Sequence, residues 1–303
     1  YSTSTVNSAS INNKGIEAII NVIPVQTRNF TWDITGQFSL LRSEVLSIAD
    51  GIDQIYVGGY VGRGNIAIPG LPYGILEGEL ITRDYGSLDG TDHTQVGWEG
   101  RTAYTPIVNA NGGYQFLGYG VIGNPQPDFI YGVTNTLSYK WATLRVQFDS
   151  QVGGDVFSTT NSTLLGRGIL QETDFDRFVP VVTNGLSADG TANTTQTTAN
   201  AHYWPNTGVF YDENSIYDAS VMRLREISLS FVAPKSFLNG TPFGSASLTL
   251  SAQNIWHYAW NTPSGTNFDP EVISYGAGSN ARGFDEMTGP TAKKYGATLS
   301  LTF

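Results

Sequence analysis

Arg223 and Arg225, two positions apart and followed by Glu226, are the most concentrated charge chemistry in this 303-residue chain. They could contact a bound substrate, but with a carboxylate beside them a paired network is the expected use. Phe268-Asp269-Pro270-Glu271 could hold a cation, and a loop-anchoring turn is the expectation there. Tyr203, Trp204, Trp256, Tyr258 and Trp260 could stack on sugar faces, though burying loops accounts for most such rings. Glu172, Asp174 and Asp176 alternate along one segment and could line a calcium site. Their spacing lacks the glycine and the late glutamate of an EF-hand loop, so a solvated acidic loop is expected. His93, His202 and His257 are far apart and fall in predicted loops, which gives no metal or triad geometry. With no cysteine there is no disulfide, no thiolate-bound zinc and no thiol nucleophile. No Walker loop or dinucleotide fingerprint occurs. The expectation is a protein that is not an enzyme and has neither metal nor cofactor.

Charge narrows the partners. Sixteen Lys and Arg against 26 Asp and Glu give a net charge of −10, and the basic residues are scattered rather than clustered. Phosphate binding needs a basic face, so no nucleic-acid partner is expected. Hydrophobic residues make up 40% of the chain, yet no run approaches the 18 or so apolar residues of a membrane helix. Tyr1 to Ser10 carries no Met, basic segment or apolar segment, so an export signal is expected upstream of Tyr1.

The elements that must position these residues are strands. Period-2 alternation dominates, and it is cleanest at the end. Tyr295, Ala297, Leu299, Leu301 and Phe303 fall on one face, with Gly296, Thr298, Ser300 and Thr302 on the other. Ser245 to Gln253 alternates as cleanly. Gly15 to Ile23 and Phe30 to Leu40 read as a hairpin across Pro24 to Arg28. Phe129 to Tyr139 and Ala142 to Phe148 read as another across Lys140. Ala219 to Val232 is a further strand whose phase slips near Arg225, as a bulge would make it.

The connections carry the stronger signal. Short ones (Pro24 to Arg28, around Lys140, Ala233 to Gly244) alternate with long ones (Arg42 to Asp128, Gly153 to Asp218, Asn254 to Lys293). Loops of that length are uncommon in compact domains, but short turns at one end and long loops at the other define an outer-membrane barrel. Thr183 to Asn200, rich in Thr, Asn and Ala, is expected to be a mobile tip that buries no core. Aromatics gather at strand ends, where membrane interfaces place them. A soluble β-sandwich or lectin-like barrel also alternates apolar and polar residues. The turn-and-loop asymmetry, and a chain ending on an aromatic within a strand, disfavour it. The fold class is all-β: a transmembrane antiparallel β-barrel segment of about seven strands with long extracellular loops, short periplasmic turns and a periplasmic C-terminus.

Several segments resemble, in order, the C-terminal part of the SusC/RagA-like TonB-dependent transporters of Bacteroidetes. They are Asn12-Asn13-Lys14-Gly15-Ile16-Glu17, Phe30-Thr31-Trp32-Asp33, and Ile122-Gly123-Asn124-Pro125-Gln126-Pro127-Asp128-Phe129 with Tyr131-Gly132. Next come Gly153-Gly154-Asp155-Val156-Phe157 and Asp218 to Glu226. Gln253-Asn254-Ile255, Phe268-Asp269-Pro270-Glu271 and Tyr295 to Phe303 complete the series.

The resemblance implies a 22-stranded barrel with a plugged lumen, of which residues 1–303 would be the C-terminal portion. Export signal, N-terminal extension, plug and remaining strands would lie on polypeptide outside residues 1–303. It also implies energy-coupled import of glycan or peptide oligomers across the bacterial outer membrane. The partners would be a SusD-like surface lipoprotein, TonB acting through the plug, and outer-membrane lipid. Arg223, Arg225 and the loop aromatics would then be candidates for the substrate path or its lid. Tyr295, Leu299, Leu301 and Phe303 resemble the signal read by barrel-assembly machinery. The competing functions are a passive porin-like or structural barrel and a secreted carbohydrate-binding β-domain.

Overall fold

Seven long strands follow one another in space as they do in sequence: β1 (Ala9–Gln26), β2 (Phe30–Ile48), β3 (Phe129–Tyr139), β4 (Ala142–Val152), β5 (Val221–Val232), β6 (Ser245–Tyr258) and β7 (Lys294–Thr302). Every neighbouring pair is antiparallel. The computed structural model describes residues 9–60, 62–84, 104–206, 211–262, 269–271, 274–275, 280–289 and 291–303. The sheet is open, with β1 and β7 at its two edges.

Strand register turns the alternation into two faces. Val25, Trp32, Leu137, Leu144, Leu229, Leu250 and Ala297 stand directly opposite one another, one from each strand. The neighbouring row on the opposite face reads Gln26, Thr31, Ser138, Thr143, Ser230, Thr249 and Thr298. Ser138 to Thr143 and Ser230 to Thr249 hydroxyl pairs, at 3.2 and 2.9 Å, link that row across strands. One face is thus fitted to lipid and the other to a water-filled lumen. Asn135 interrupts the apolar face, and the Trp32 indole donates to its side-chain oxygen at 3.2 Å.

Aromatic residues collect at both ends of the wall. Phe38, Phe129 and Tyr131 meet at the loop end, and Trp141 with Phe231 and Phe243 with Phe303 meet at the turn end. Lys140 and Trp141 form a two-residue hairpin turn, with Lys140 at φ +52° as the twist of such turns demands. The slip near Arg225 is a bulge: Leu224 faces Phe148 and Glu226 faces Gln147, leaving Arg225 as the extra residue. β6 answers with Asn254 and Ile255, Asn254 being left-handed at φ +53°.

Two strands outrun their expected limits. At 18 and 19 residues, β1 and β2 are about twice the 9–11 residues that cross a bilayer. The far end of β2 instead joins an extramembrane body, where Val45 is fully buried and exchanges backbone hydrogen bonds with Leu71 and Gly70.

That body corrects the reading of the long connections as loops. The first folds a four-stranded sheet from Ile55–Tyr60, Arg63–Ala67, Ile75–Ile81 and Phe116–Gly123. The second contributes Asp155–Ser158, which pairs antiparallel with Ile216–Asp218 and parallel with Phe284–Asp285 of the third. Leu76, Leu80, Ile122, Phe157 and Phe284, none more than 5% exposed, form one core from all three connections. Gly78 allows this packing, since a Cβ there would sit 2.7 Å from the Cβ of Asp212.

The Thr183 to Asn200 segment also differs from its expectation. Thr183 is buried, donates to the Gly112 carbonyl and lies 3.0 Å from His202 Nδ1, while Asn193 donates to the Thr183 carbonyl at 2.8 Å. Polar residues here replace an apolar core with satisfied hydrogen bonds.

Candidate functional site

Two places outside the plain strand pattern gather chemistry: a charged network on the inner face of the wall and an arginine-lined cavity in the extramembrane body.

The network begins at the β5 bulge. Arg225 Nε and Nη2 donate to the two Asp149 oxygens at 2.8 and 2.7 Å, and its Nη1 and Nη2 reach Glu271 at 3.0 and 2.7 Å. Arg223 pairs with Asp269 and, at 2.8 Å, with Glu271. Thr291 donates its hydroxyl to the second Asp269 oxygen, and Glu271 N donates to the first at 3.1 Å. Arg223 and Asp269 are almost fully buried. Burial opposes ionisation of Asp269, but the Thr291 hydroxyl and the Arg223 guanidinium hold its carboxyl below the ordinary range. Planar guanidinium forks matched to carboxylates make a geometrically specific clamp. It ties the third connection to β4 and β5.

A second junction joins two of the recurring motifs. Asn124 N donates to Asp155 Oδ2 at 2.7 Å, and Asp155 N donates to the Asn124 carbonyl at 2.7 Å. Gln126 accepts from Ser43 at 3.0 Å and donates to the Leu41 carbonyl at 2.9 Å, while Arg42 reaches Asp128 at 3.1 Å. Gly153, at φ +72°, leaves no room for a Cβ, which would collide with Asp128 Oδ2. The Asn124 to Asp128 motif is therefore a corner that fixes β2 to the start of β3 and the exit of β4.

The cavity, of about 630 Å³, opens between the helix Thr159–Gly166 and the helix Ala199–Asn206. Arg167, Arg177, Phe175, Tyr203 and Trp204 border it. The Arg167 guanidinium lies 5.7 Å from the Trp204 ring, and the Phe175 and Tyr203 rings are 6.0 Å apart. Burial pushes the Tyr203 phenol up and the His202 imidazole down.

The sequence candidates thus separate in space. Tyr203 and Trp204 border the cavity, and Arg223 and Arg225 enter the clamp. Trp256, Tyr258 and His257 lie in β6, which runs past the expected end at Gln253. Trp256 faces Leu224 and Tyr258 faces Met222 on the apolar side of the wall, with Trp260 6.5 Å from Tyr258. His202 lies in a helix rather than a loop, and His93 and Phe268 lie outside the described residues. Glu172, Asp174 and Asp176 are solvent-exposed, and among the described residues no three or more His, Asp or Glu side chains are grouped to hold one ion. Tyr295, Leu299, Leu301 and Phe303 project from the edge strand, all exposed.

Sequence pattern alone does not single out Asp149, Arg167, Phe175 or Arg177. Asp149 becomes visible only once β4 is paired with β5, because its partner is 76 residues away. Arg177 carries one local signal, alternation with Asp176 and Asp174.

No protein-family model matches the chain. It is 25% identical over 325 residues to TonB-dependent receptor P3 of Formosa agariphila, covering 98% of this chain and 29% of that one. It is 26% identical over 324 residues to TonB-dependent receptor P26 of the same organism, covering 100% and 30%. The chain therefore spans less than a third of the length of these relatives. In fold it is similar to the RagAB peptide transporter, with a TM-score of 0.61 and 18% identity over 98% of this chain and 30% of the other. The same importer in its "closed-closed" state gives 0.63 at 18% identity, over 98% of this chain and 30% of the other. Two-faced strand register, the open sheet with its extramembrane body, and these likenesses make the chain similar over nearly its whole length to a barrel segment of TonB-dependent receptors, with the fold seen in the RagAB transporter.

Proposed function

We propose that this segment forms part of the wall and the outer vestibule of an energy-coupled importer of oligomeric nutrients, glycan or peptide. The carrying observation is the division of labour within the chain. Seven strands present lipid-fitted and water-fitted faces, and three long connections merge into one body with its own core at the loop end. A simple pore needs no such body.

The open edges of β1 and β7 support a larger barrel, since unpaired backbone groups in hydrocarbon cost several kcal/mol each. The rest of the polypeptide would supply the other strands and the plug on which TonB pulls. The C-terminus lies at the short-turn end, so it is periplasmic in this orientation. Phe178 and Val179 project from the body, Phe178 being 97% exposed. Such a patch suits the seat of a SusD-like surface lipoprotein.

The experiment is uptake of labelled peptide and oligosaccharide mixtures by cells producing the full transporter with its lipoprotein. Uptake that stops on loss of TonB supports the importer. Uptake that continues unchanged without TonB identifies a passive porin instead.

A further inference from the structure

The cavity between the two helices differs in charge from the protein around it. The chain carries ten more acidic than basic residues, yet the described residues bordering the cavity include Arg167 and Arg177 and no Asp or Glu. The segment 172–177 shows how. Thr173, Phe175 and Arg177 border the cavity, while Glu172, Asp174 and Asp176 alternate with them and stay outside its lining. Residues 171–173 form a 3-10 turn and 174–178 a bend and a second turn, and along that path one acidic stretch brings a cationic, aromatic set of side chains to the cavity.

Both arginines are held in place. Arg177 Nη2 donates to the Gly168 carbonyl, and the guanidinium rests where a side chain at residue 168 would be. Gly168 has φ +70°, and a Cβ there would lie 2.5 Å from Arg177 Nη1. Arg167 caps the helix Thr159–Gly166, its N–H bonding the Thr163 carbonyl at 3.0 Å, and its guanidinium covers one face of Trp204. Such fixed guanidinium groups lose little freedom on pairing with a carboxylate.

The aromatic geometry selects among anions. Tyr203 is flanked by Phe175 at 6.0 Å and edge-on to His202 at 4.9 Å, and Trp204 already carries Arg167. With Arg167 over Trp204 and Phe175 beside Tyr203, the aliphatic Leu165 and Ile169 complete an apolar lining suited to branched side chains. A volume of about 630 Å³ suits a short peptide stretch.

We propose that this cavity binds an acidic oligopeptide, Arg167 and Arg177 pairing with Asp or Glu carboxylates while Ile169, Phe175 and Tyr203 hold an intervening apolar side chain. The assignment rests on the importer reading above and names its cargo.

The test uses the complete transporter with its lipoprotein, purified in detergent, and three probes: a short Glu/Val alternating peptide, its Gln/Val counterpart and an oligogalacturonate. The Glu/Val peptide should bind about tenfold or more tightly than the Gln/Val peptide, and R167Q and R177Q should each remove most of that difference. R177K, which keeps the charge but loses the fork, should retain part of it. Equal binding of the two peptides, or binding indifferent to both substitutions, overturns the proposal. So does tighter, arginine-dependent binding of oligogalacturonate, which would assign the cavity to acidic glycans. TonB-dependent uptake of Glu/Val peptide, unchanged by R167Q/R177Q, would sink the cavity assignment and keep the importer. Arginine-dependent Glu/Val binding without TonB-dependent uptake would do the reverse.

Discussion

Arg225 holds Asp149 through two parallel hydrogen bonds of 2.8 and 2.7 Å, and it does so from a residue that the strand ladder leaves out. The bulge gives Arg225 a place in the inner-face network and resets the phase of β5, so that Met222 and Leu224 before it and Ile227, Leu229 and Phe231 after it all fall on the apolar face. A break in the alternation is therefore the device that joins barrel wall to extramembrane body.

Breaking the clamp should free the body rather than unfold the barrel. D269A leaves the buried Arg223 with Glu271 as its remaining carboxylate, a loss of up to about 3–5 kcal/mol by analogy with broken buried pairs. Protease cleavage within residues 261–293 of the assembled transporter should rise sharply. Resistance to heat and detergent, a property of the strand wall, should change little.

Acid should weaken the same contact. Asp269 titrates below its ordinary 3.8, so its contribution to stability is complete above that value and is lost as pH falls through the folded-state value. Proteolysis of the third connection should therefore accelerate below about pH 4. In D269N that acid-dependent component should be missing.

Leu299 and Thr298 are adjacent in β7 and face opposite ways. Lys at Leu299 places a charge on the lipid side and should cost up to about 2–4 kcal/mol, less toward the interface. Lys at Thr298 enters the water-filled side and should be tolerated. Urea unfolding of the full transporter from lipid vesicles measures both, and equal costs would refute the assignment of the faces.

Gly153→Ala should damage the corner between the Asn124 to Asp128 motif and the exit of β4. The residue has φ +72°, and its Cβ would meet Asp128. A cost of about 1–3 kcal/mol is expected, read as a lower thermal midpoint of the assembled protein. Gly289→Ala, where a Cβ meets nothing, is the control.

Phe303 packs its ring 5.2 Å from Phe243 yet remains 86% exposed. A role in recognition by assembly machinery predicts that F303A lowers the yield of membrane-inserted transporter. The stability of the inserted fraction should stay unchanged. Equal loss of both would make Phe303 a packing residue instead.

All seven wall strands, their order, both tight hairpins and the bulge at Arg225 are legible in the residues alone. Alternation is local: a strand between lipid and water must change polarity every residue, so each face is written in its own segment. Asp269 and Glu271 are legible as an anchor by type, though not by partner. What only the tertiary structure decided lies where distant segments meet. Leu76, Phe157 and Phe284 share one core although each belongs to a different connection, and Phe157 and Phe284 lie on strands paired in parallel. The strands there are short, and none carries enough alternation to announce itself. Thr183 and Asn193, expected in a mobile tip, are buried because Gly112 and neighbouring backbone supply hydrogen bonds that composition cannot reveal. Arg177 turned from an ordinary loop charge into a cavity wall through its contact with Gly168, whose left-handed backbone leaves the space.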